Sequence, residues 1–241
     1  MSILAAIGAG LAAIGTFIST AISTVGPVIA TAVSTFVAKL PPALEVAQKI
    51  VNIASTVMNG VSAIMNLGPE DEDVAALGAK TMQDNVRPKA EGESAKEYLD
   101  YLRNDVTLNE EEFEELSDYD KMRCEALGTF MIAKSIEEKA GVELSPDFVM
   151  AISKAKLSAE QTEKLISAMS ESRMESQEIY KFISRAPEMT LEEKNEAEKV
   201  VIDAIAEVSP ELSEDEIQNE VMAMKQEYWT MEESIKATNN Q

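Results

Sequence analysis

The sequence predicts an all-α fold in which apolar N-terminal helices, a kinked helix and its hairpin partner, precede an acidic helical bundle. The first observation is a charge-free start, because Lys39 is the first charged residue of the 241. The second is a change in composition. Residues 1–68 carry a net charge of +1 and residues 69–241 carry −23, which together give the total of −22. The third is helical punctuation along the chain, without the sustained alternation typical of strands.

Glycine and proline divide the apolar region into three predicted helices. The first covers about residues 3–25 and, after a kink, the second covers 28–39 and the third 43–67. Proline removes an amide hydrogen and disfavours the helical conformation of the residue before it, so it breaks or bends a helix. The predicted hinge residues are Gly26, Pro27, Pro41 and Pro42. The first helix is close to the roughly 20 residues that span a bilayer.

The acidic part is predicted to begin with a linker. Residues 69–93 contain glycines and prolines without a sustained period, which predicts a linker with at most one short helix. The chain is thus divided into apolar helices over 1–68, a linker over 69–93 and an acidic helical bundle over 94–241.

Capping signals predict five or six helices after residue 94, joined by loops short enough for a bundle. A Ser or Thr followed three residues later by Glu or Gln marks a helix start, since the two side chains satisfy each other's backbone N–H groups. The four pairs are Thr107 with Glu110, Ser158 with Gln161, Thr190 with Glu193, and Ser213 with Glu216. Ser117 with Asp120 is a weaker form of this signal. Gly141 is a predicted C-cap for a helix over about 118–140.

The third predicted helix contains a repeat of seven residues. Its apolar positions are Ile50, Val57 and Ile64, and its amide positions are Asn52, Asn59 and Asn66. A period of seven favours left-handed supercoiling with another helix. We therefore expect a polar ladder of amides beside an apolar seam, and we place both in a membrane or oligomer interface.

The first predicted helix carries small and hydroxyl side chains at intervals of four. The residues assigned to the same interface are Gly8, Ala12, Thr16, Thr20 and Thr24. Small side chains at this spacing let helix backbones approach closely, in lipid or in water. The helix is consequently amphipathic without being charged.

Three interpretations of the apolar region remain open. A permanent membrane anchor is one, although Gly, Ser, Thr and Asn dilute the apolar residues that drive insertion. A membrane-inserting or pore-lining element is the second, with the aliphatic stripe facing lipid and the hydroxyl and amide stripes facing a wet lumen or other helices. The third is a helical hairpin that associates with itself or a partner in an aqueous assembly.

Composition argues against several functional classes. A net charge of −22 opposes the release of counterions that drives nucleic-acid binding, so no nucleic-acid partner is expected. The chain contains no histidine, which removes Ser–His and Cys–His nucleophile pairs and the usual zinc ligand sets. Cys124 is alone and cannot form an internal disulfide. The acidic runs at 70–73 and 110–115 lack the spacing of a calcium loop. We expect no catalytic residue, cofactor or metal.

The uncharged helical start Ile3-Leu4-Ala5-Ala6-Ile7-Gly8-Ala9-Gly10, followed by a polar helical body, resembles phage ejection or pilot proteins. It is also similar to helical pore-forming toxins that hide an apolar hairpin. The resemblance covers residues 1–68. It implies helices that are sheltered first and meet a membrane or other helices later.

We expect a non-enzymatic protein that oligomerises through its apolar N-terminal helices and inserts into membranes as a pore-forming element. Its expected partners are copies of itself, a lipid membrane, and carrier or particle proteins. The alternative is a structural component of a virion or injection apparatus, whose N-terminal helices form a multi-copy bundle without lipid contact. No Lys or Arg precedes the apolar run, and the run is too long for a signal peptide, so no secretory signal is expected. Packaging in a particle, or membrane association after release, is consistent with this pattern.

Overall fold

A computed structural model describes residues 11–239, with side chains described for 16–238. This part of the chain forms twelve α-helices and no strand, which confirms the all-α prediction. The helices are, in chain order, α1 (Leu11–Val25), α2 (Pro27–Ala38), α3 (Leu44–Ile64), α4 (Val74–Lys80), α5 (Ala95–Asn104), α6 (Glu110–Glu114), α7 (Asp118–Ala140), α8 (Pro146–Lys154), α9 (Ala159–Ser172), α10 (Ser176–Ser184), α11 (Leu191–Val208) and α12 (Glu214–Asn239).

The described part of the apolar region forms three helices near the predicted bounds, and the predicted start of the first helix at residue 3 lies outside the described residues. Pro27 is the first residue of α2, where its missing N–H costs nothing, and so it begins the helix. α3 ends at Ile64, three residues before the predicted end at residue 67. The reason is a C-terminal cap. Asn66 has φ 54°, and the N–H groups of Asn66 and Leu67 donate to the carbonyls of Ala63 and Ser62 at 2.9 and 2.8 Å.

Most of the predicted capping boxes are present. Ser158, Thr190 and Ser213 each accept from the N–H three residues on, while the paired Glu or Gln bonds back to the cap. The Thr107 prediction is wrong, because α6 begins two residues later with Asn109 as its N-cap. Gln83 explains the shift. Its amide group accepts from the Asn109 N–H and donates to the Thr107 carbonyl. These two bonds fix the position of the loop segment before the helix.

The long helix α7 is the centre of the fold. Its predicted bounds at 118–140 are confirmed, as are the Ser117 N-cap and the left-handed Gly141 C-cap. α2, α3, α4 and α5 all pack against it. α8 and α9 pack on α3, α10 and α12 pack on α8, and α11 packs on α9. One contiguous apolar core extends from Phe17 to Tyr228.

The predicted linker contains α4, which crosses α7 at very short range. A Cβ added to Gly78 would clash with the carbonyl oxygen of Cys124, and a Cβ added to Gly128 would clash with the carbonyl oxygen of Val74. Only glycines permit two helix backbones to approach this closely. The core therefore continues across the predicted boundaries at residues 68 and 93.

Candidate functional site

The candidate site is the apolar pair, defined as α1 and α2. Its described side chains, residues 16–38, include no charged group. Gly26 separates the two helices with φ 93° and ψ 164°, a conformation that side chains with a Cβ rarely adopt. The predicted kink is therefore a complete break, and α1 packs mainly against α2. Pro41 and Pro42 form the second break, between α2 and α3.

The inner face of the apolar pair is aliphatic and aromatic and is buried in the core. Its residues are Phe17, Ala21, Val25, Ile29, Ala30, Val33 and Phe36. α2 lies on α7 and α8, and the ring of Phe36 meets the ring of Phe130 edge-on, with centroids 5.3 Å apart. Of the aliphatic stripe that the sequence predicts, Val25, Ile29 and Phe36 thus face the body of the protein itself, whereas Ile22 is exposed.

A buried cation lies beneath α1. The guanidinium carbon of Arg123 is 5.8 Å from the ring centroid of Phe17 and 4.2 Å from that of Tyr119. Arg123 also donates to the buried carboxylate of Asp120 at 3.2 Å, and the Ser117 hydroxyl donates to the same carboxylate at 2.6 Å. The charge beneath the apolar pair is therefore neutralised by its neighbour and covered by aromatic rings.

The hydroxyl residues of α1 do not form one uniform face. Thr16 is exposed, Thr20 is half-buried and Thr24 is buried. The Thr24 hydroxyl donates to the Thr20 carbonyl at 2.9 Å, so its polar atom is satisfied within the helix. Gly8 lies outside the described residues, as does the side chain of Ala12.

Polar contacts also fasten the apolar pair to the body. The Lys39 ammonium pairs with the Asp147 carboxylate in the first turn of α8. The backbone N–H of Lys89 donates to the Thr24 carbonyl at 2.7 Å. The first contact is solvent-exposed, and ion pairs of that kind contribute about 0–1 kcal/mol.

Helix α3 is part of the core. Ile50 and Val57, assigned to an interface, are buried, whereas Ile64 at the end of the helix is exposed. α3 contacts α7, α8 and α9, and a Cβ added to Gly60 would lie 2.5 Å from the Cβ of Ala159 on α9. While the fold is intact, the seam that the seven-residue repeat predicts is occupied by the protein's own helices.

The three asparagines of the predicted ladder have different environments. Asn52 is exposed, and when its side-chain amide is assigned so that the nitrogen faces α7, that nitrogen donates to the Glu125 carboxylate at 2.8 and 3.2 Å. Asn59 is buried and donates to the Glu70 carbonyl at 2.7 Å, while its side-chain oxygen has no partner among the described residues. Asn66 lies beyond the helix in the left-handed cap. No continuous amide stripe results.

Sequence reasoning missed Glu125, a partly buried carboxyl between α3 and α7. Burial raises its pKa above the ordinary value, although the Ser55 hydroxyl bonds to the ionised form. It also missed Arg123, since a lone Arg-Asp spacing of three on a helix is usually a surface pair. Both residues are charged and lie among the apolar residues of the segment 122–127 in α7, and this pattern could have indicated that they are buried.

The described residues give no support for metal or thiol chemistry. Among them no group of three His, Cys, Asp or Glu side chains is placed to hold a metal ion. Cys124 is buried, and burial raises the pKa of its thiol to about 12, so the reactive thiolate is not formed at neutral pH. Within residues 11–239 no helix combines the length and the hydropathy required to cross a bilayer.

Comparison with protein-family models, curated proteins and solved structures gave no match. The resemblance to ejection proteins and pore-forming toxins therefore stays an expectation based on composition.

Proposed function

We propose that this chain is a non-enzymatic, membrane-inserting and pore-forming helical protein whose working element is the apolar pair, stored against an acidic body. The observation that carries the proposal is the uncharged helical pair with its aliphatic face buried on α7 and α8. The acidic body keeps the stored form dispersed through its net negative charge.

The structure favours α1 and α2 over α3 as the part that leaves. α1 and α2 are separated by Gly26, and their described fastening to the body includes an exposed ion pair. α3, in contrast, lies inside the core with Ile50, Met58 and Val61 fully buried. Removing α3 would open the whole body, whereas removing the pair would uncover one side of it.

Release requires a new apolar surrounding. Undocking exposes the five large side chains Phe17, Val25, Ile29, Val33 and Phe36. At about 1.5–3 kcal/mol for each buried side chain, their exposure to water would cost roughly 8–15 kcal/mol. This cost makes spontaneous release in water rare. A bilayer or other copies of the pair can bury the same side chains, so release is favourable at a target.

The geometry of the inserted state follows from the two faces. α2 contains 12 residues, fewer than the roughly 20 that cross a bilayer. We therefore propose that several pairs associate, with the aliphatic faces toward lipid and the hydroxyl faces toward one another or water. Thr16 and Thr20 belong to the hydroxyl face, whereas buried Thr24 becomes available only after undocking.

A second candidate is a virion or injection-apparatus component that associates through the apolar pair without meeting lipid. The observation that favours it is the solvent-facing side of the pair. Ile22 and Val28 are exposed by 45% and 66% there, amid uncharged neighbours, on a protein whose net charge is −22. Copies of a strongly acidic protein repel one another least where no charge is present.

Dye release from zwitterionic liposomes, combined with sedimentation of the full chain, distinguishes the two candidates. The leading proposal predicts dye release together with oligomers in the lipid fraction. Oligomers in water with no dye release would contradict it and support the second candidate. A monomer that leaves liposomes intact would contradict both.

A matched pair of variants tests the outer face. Ile22→Lys with Val28→Lys places two charges on the apolar pair without entering the core. The control is Leu191→Lys with Met222→Lys, because these residues are exposed by 75% and 60% and lie elsewhere. The first variant should abolish oligomers and the control should preserve them. Equal effects would show that net charge alone is responsible.

A further inference from the structure

A groove lies between α2 and the turn that joins α7 to α8. Its volume is about 730 Å³, within the range of sites that hold a ligand or a short peptide. Its apolar walls come from both sides of the seam between the apolar pair and the body. They are formed by Val28, Ala32, Val142, Leu144 and Pro146.

Val28 is an exposed apolar group of this groove, with two thirds of its surface open to solvent. Val142, on the opposite wall, is half-buried. An apolar side chain inserted between them would contact α2 and the body at once. The groove is therefore present only while the apolar pair is docked. A ligand that fills it binds the docked state alone.

The rim of the groove is acidic. Glu137, Glu138 and Glu143 surround the ammonium of Lys134. Although burial lowers the pKa of Lys134, the three carboxylates together raise it above its ordinary value. Glu137 is engaged by Lys134 at 2.7 Å and by the Leu144 N–H at 2.8 Å, Glu138 accepts from the Ala95 N–H at 2.7 Å, and Glu143 is exposed. The rim retains negative charge after its internal pairing.

This combination selects the occupant. An acidic rim repels anionic lipid and the acidic body of a second copy, and the uncharged apolar pair of a second copy offers it no cation. A helix with an apolar face bordered by Lys or Arg fits the groove, because its apolar face contacts the apolar walls and its cations pair with the acidic rim.

We propose that the groove binds a basic amphipathic helix of a partner protein, and that this partner holds the apolar pair in the docked state. The second part rests on the proposed function. A ligand that binds only the docked form shifts the population toward it. At a free concentration of 100 times its Kd, it lowers the undocked fraction about 100-fold.

The binding test uses a labelled synthetic helix of about 14 residues built from Leu, Ala and Lys, and an acidic counterpart with Glu in place of Lys. Fluorescence anisotropy with the full chain should show at least tenfold tighter binding of the basic peptide. Glu138→Lys with Glu143→Lys should weaken that binding tenfold or more, and Val28→Ser should weaken it severalfold. No preference for the basic peptide would overturn the proposal.

The control variant is Glu171→Lys with Glu233→Lys, which makes the same change of net charge at exposed sites outside the groove. It should change the Kd less than twofold. A loss equal to that of the rim variant would show non-specific attraction to an acidic protein and would overturn the site.

Hydrogen exchange tests the holding role without vesicles. Saturating basic peptide should slow amide exchange over residues 27–38 in the natural chain and leave it unchanged in the rim variant. Binding without slower exchange in α2 would contradict the holding role. If the peptide binds and slows exchange but the chain never releases liposome dye, the proposed function fails and the docking site stands. If dye is released and the peptide does not bind, the docking site fails alone.

Discussion

The guanidinium of Arg123 lies over the rings of Phe17 and Tyr119 and bonds to Asp120, so a buried ion pair contacts α1 through Phe17. Removing one partner of such a pair leaves an uncompensated buried charge. We expect Arg123→Met to lower the free energy of unfolding by about 3–5 kcal/mol. Urea denaturation followed by circular dichroism measures this loss.

The double variant Arg123→Met with Asp120→Asn removes both charges and is the control. It should recover most of the loss, because no unpaired charge remains. If the double variant is as unstable as the single one, the contribution of Arg123 is packing against the two rings.

The crossing of α4 and α7 predicts that Gly78→Ala is destabilising although alanine favours helices. The gain in helix propensity is about 1 kcal/mol, whereas the new Cβ meets the Cys124 carbonyl, which belongs to helix backbone and cannot turn aside. We expect a net loss of about 2 kcal/mol in thermal or urea unfolding. Gly141→Ala is the control, because a Cβ there meets no neighbouring atom but the residue has a left-handed backbone conformation. It should lower the free energy of unfolding by about 1–2 kcal/mol and leave hydrogen exchange in α4 unchanged. A neutral or stabilising Gly78→Ala would contradict the close crossing.

The Glu125 carboxyl predicts a pH-dependent effect. Because burial raises its pKa in the folded protein, the fold prefers the protonated form, and stability declines as pH rises from 4.5 through the raised value. Glu125→Gln keeps a neutral polar group at the site, so it should raise the urea midpoint at pH 7 and leave it unchanged at pH 4. A lower midpoint at pH 7 would show that the ionised carboxylate, bonded to Asn52 and Ser55, stabilises the fold.

The helical content was predictable because capping residues and prolines act locally. Ser158, Thr190 and Ser213 begin helices through contacts within four residues, and Gly141 ends one in the same way. Asn109 replaced Thr107 as a cap because Gln83, distant in sequence, holds the chain there. Local signals therefore fail where a tertiary contact overrules them.

The position of α3 was less accessible to sequence reasoning. Its seven-residue repeat marks a helix that packs on other helices, but periodicity does not identify which helices. The closeness of Gly60 to Ala159 and the bond from Asn52 to Glu125 depend on the fold. Likewise, the glycines of residues 69–93 are as typical of a linker as of a close helix crossing, and the crossing depends on Gly128, 50 residues after Gly78.

The proposed function requires the apolar pair to leave the body before it acts. Lys39 and Asp147, which meet across the seam, can be replaced by cysteines and joined with a bismaleimide that contains a reducible disulfide. The control carries the same bridge at Lys96 and Asp100, which pair within α5. Liposome dye release should be absent in the bridged seam variant, return on reduction, and proceed unhindered in the control. Undiminished release by the bridged seam variant would contradict the claim.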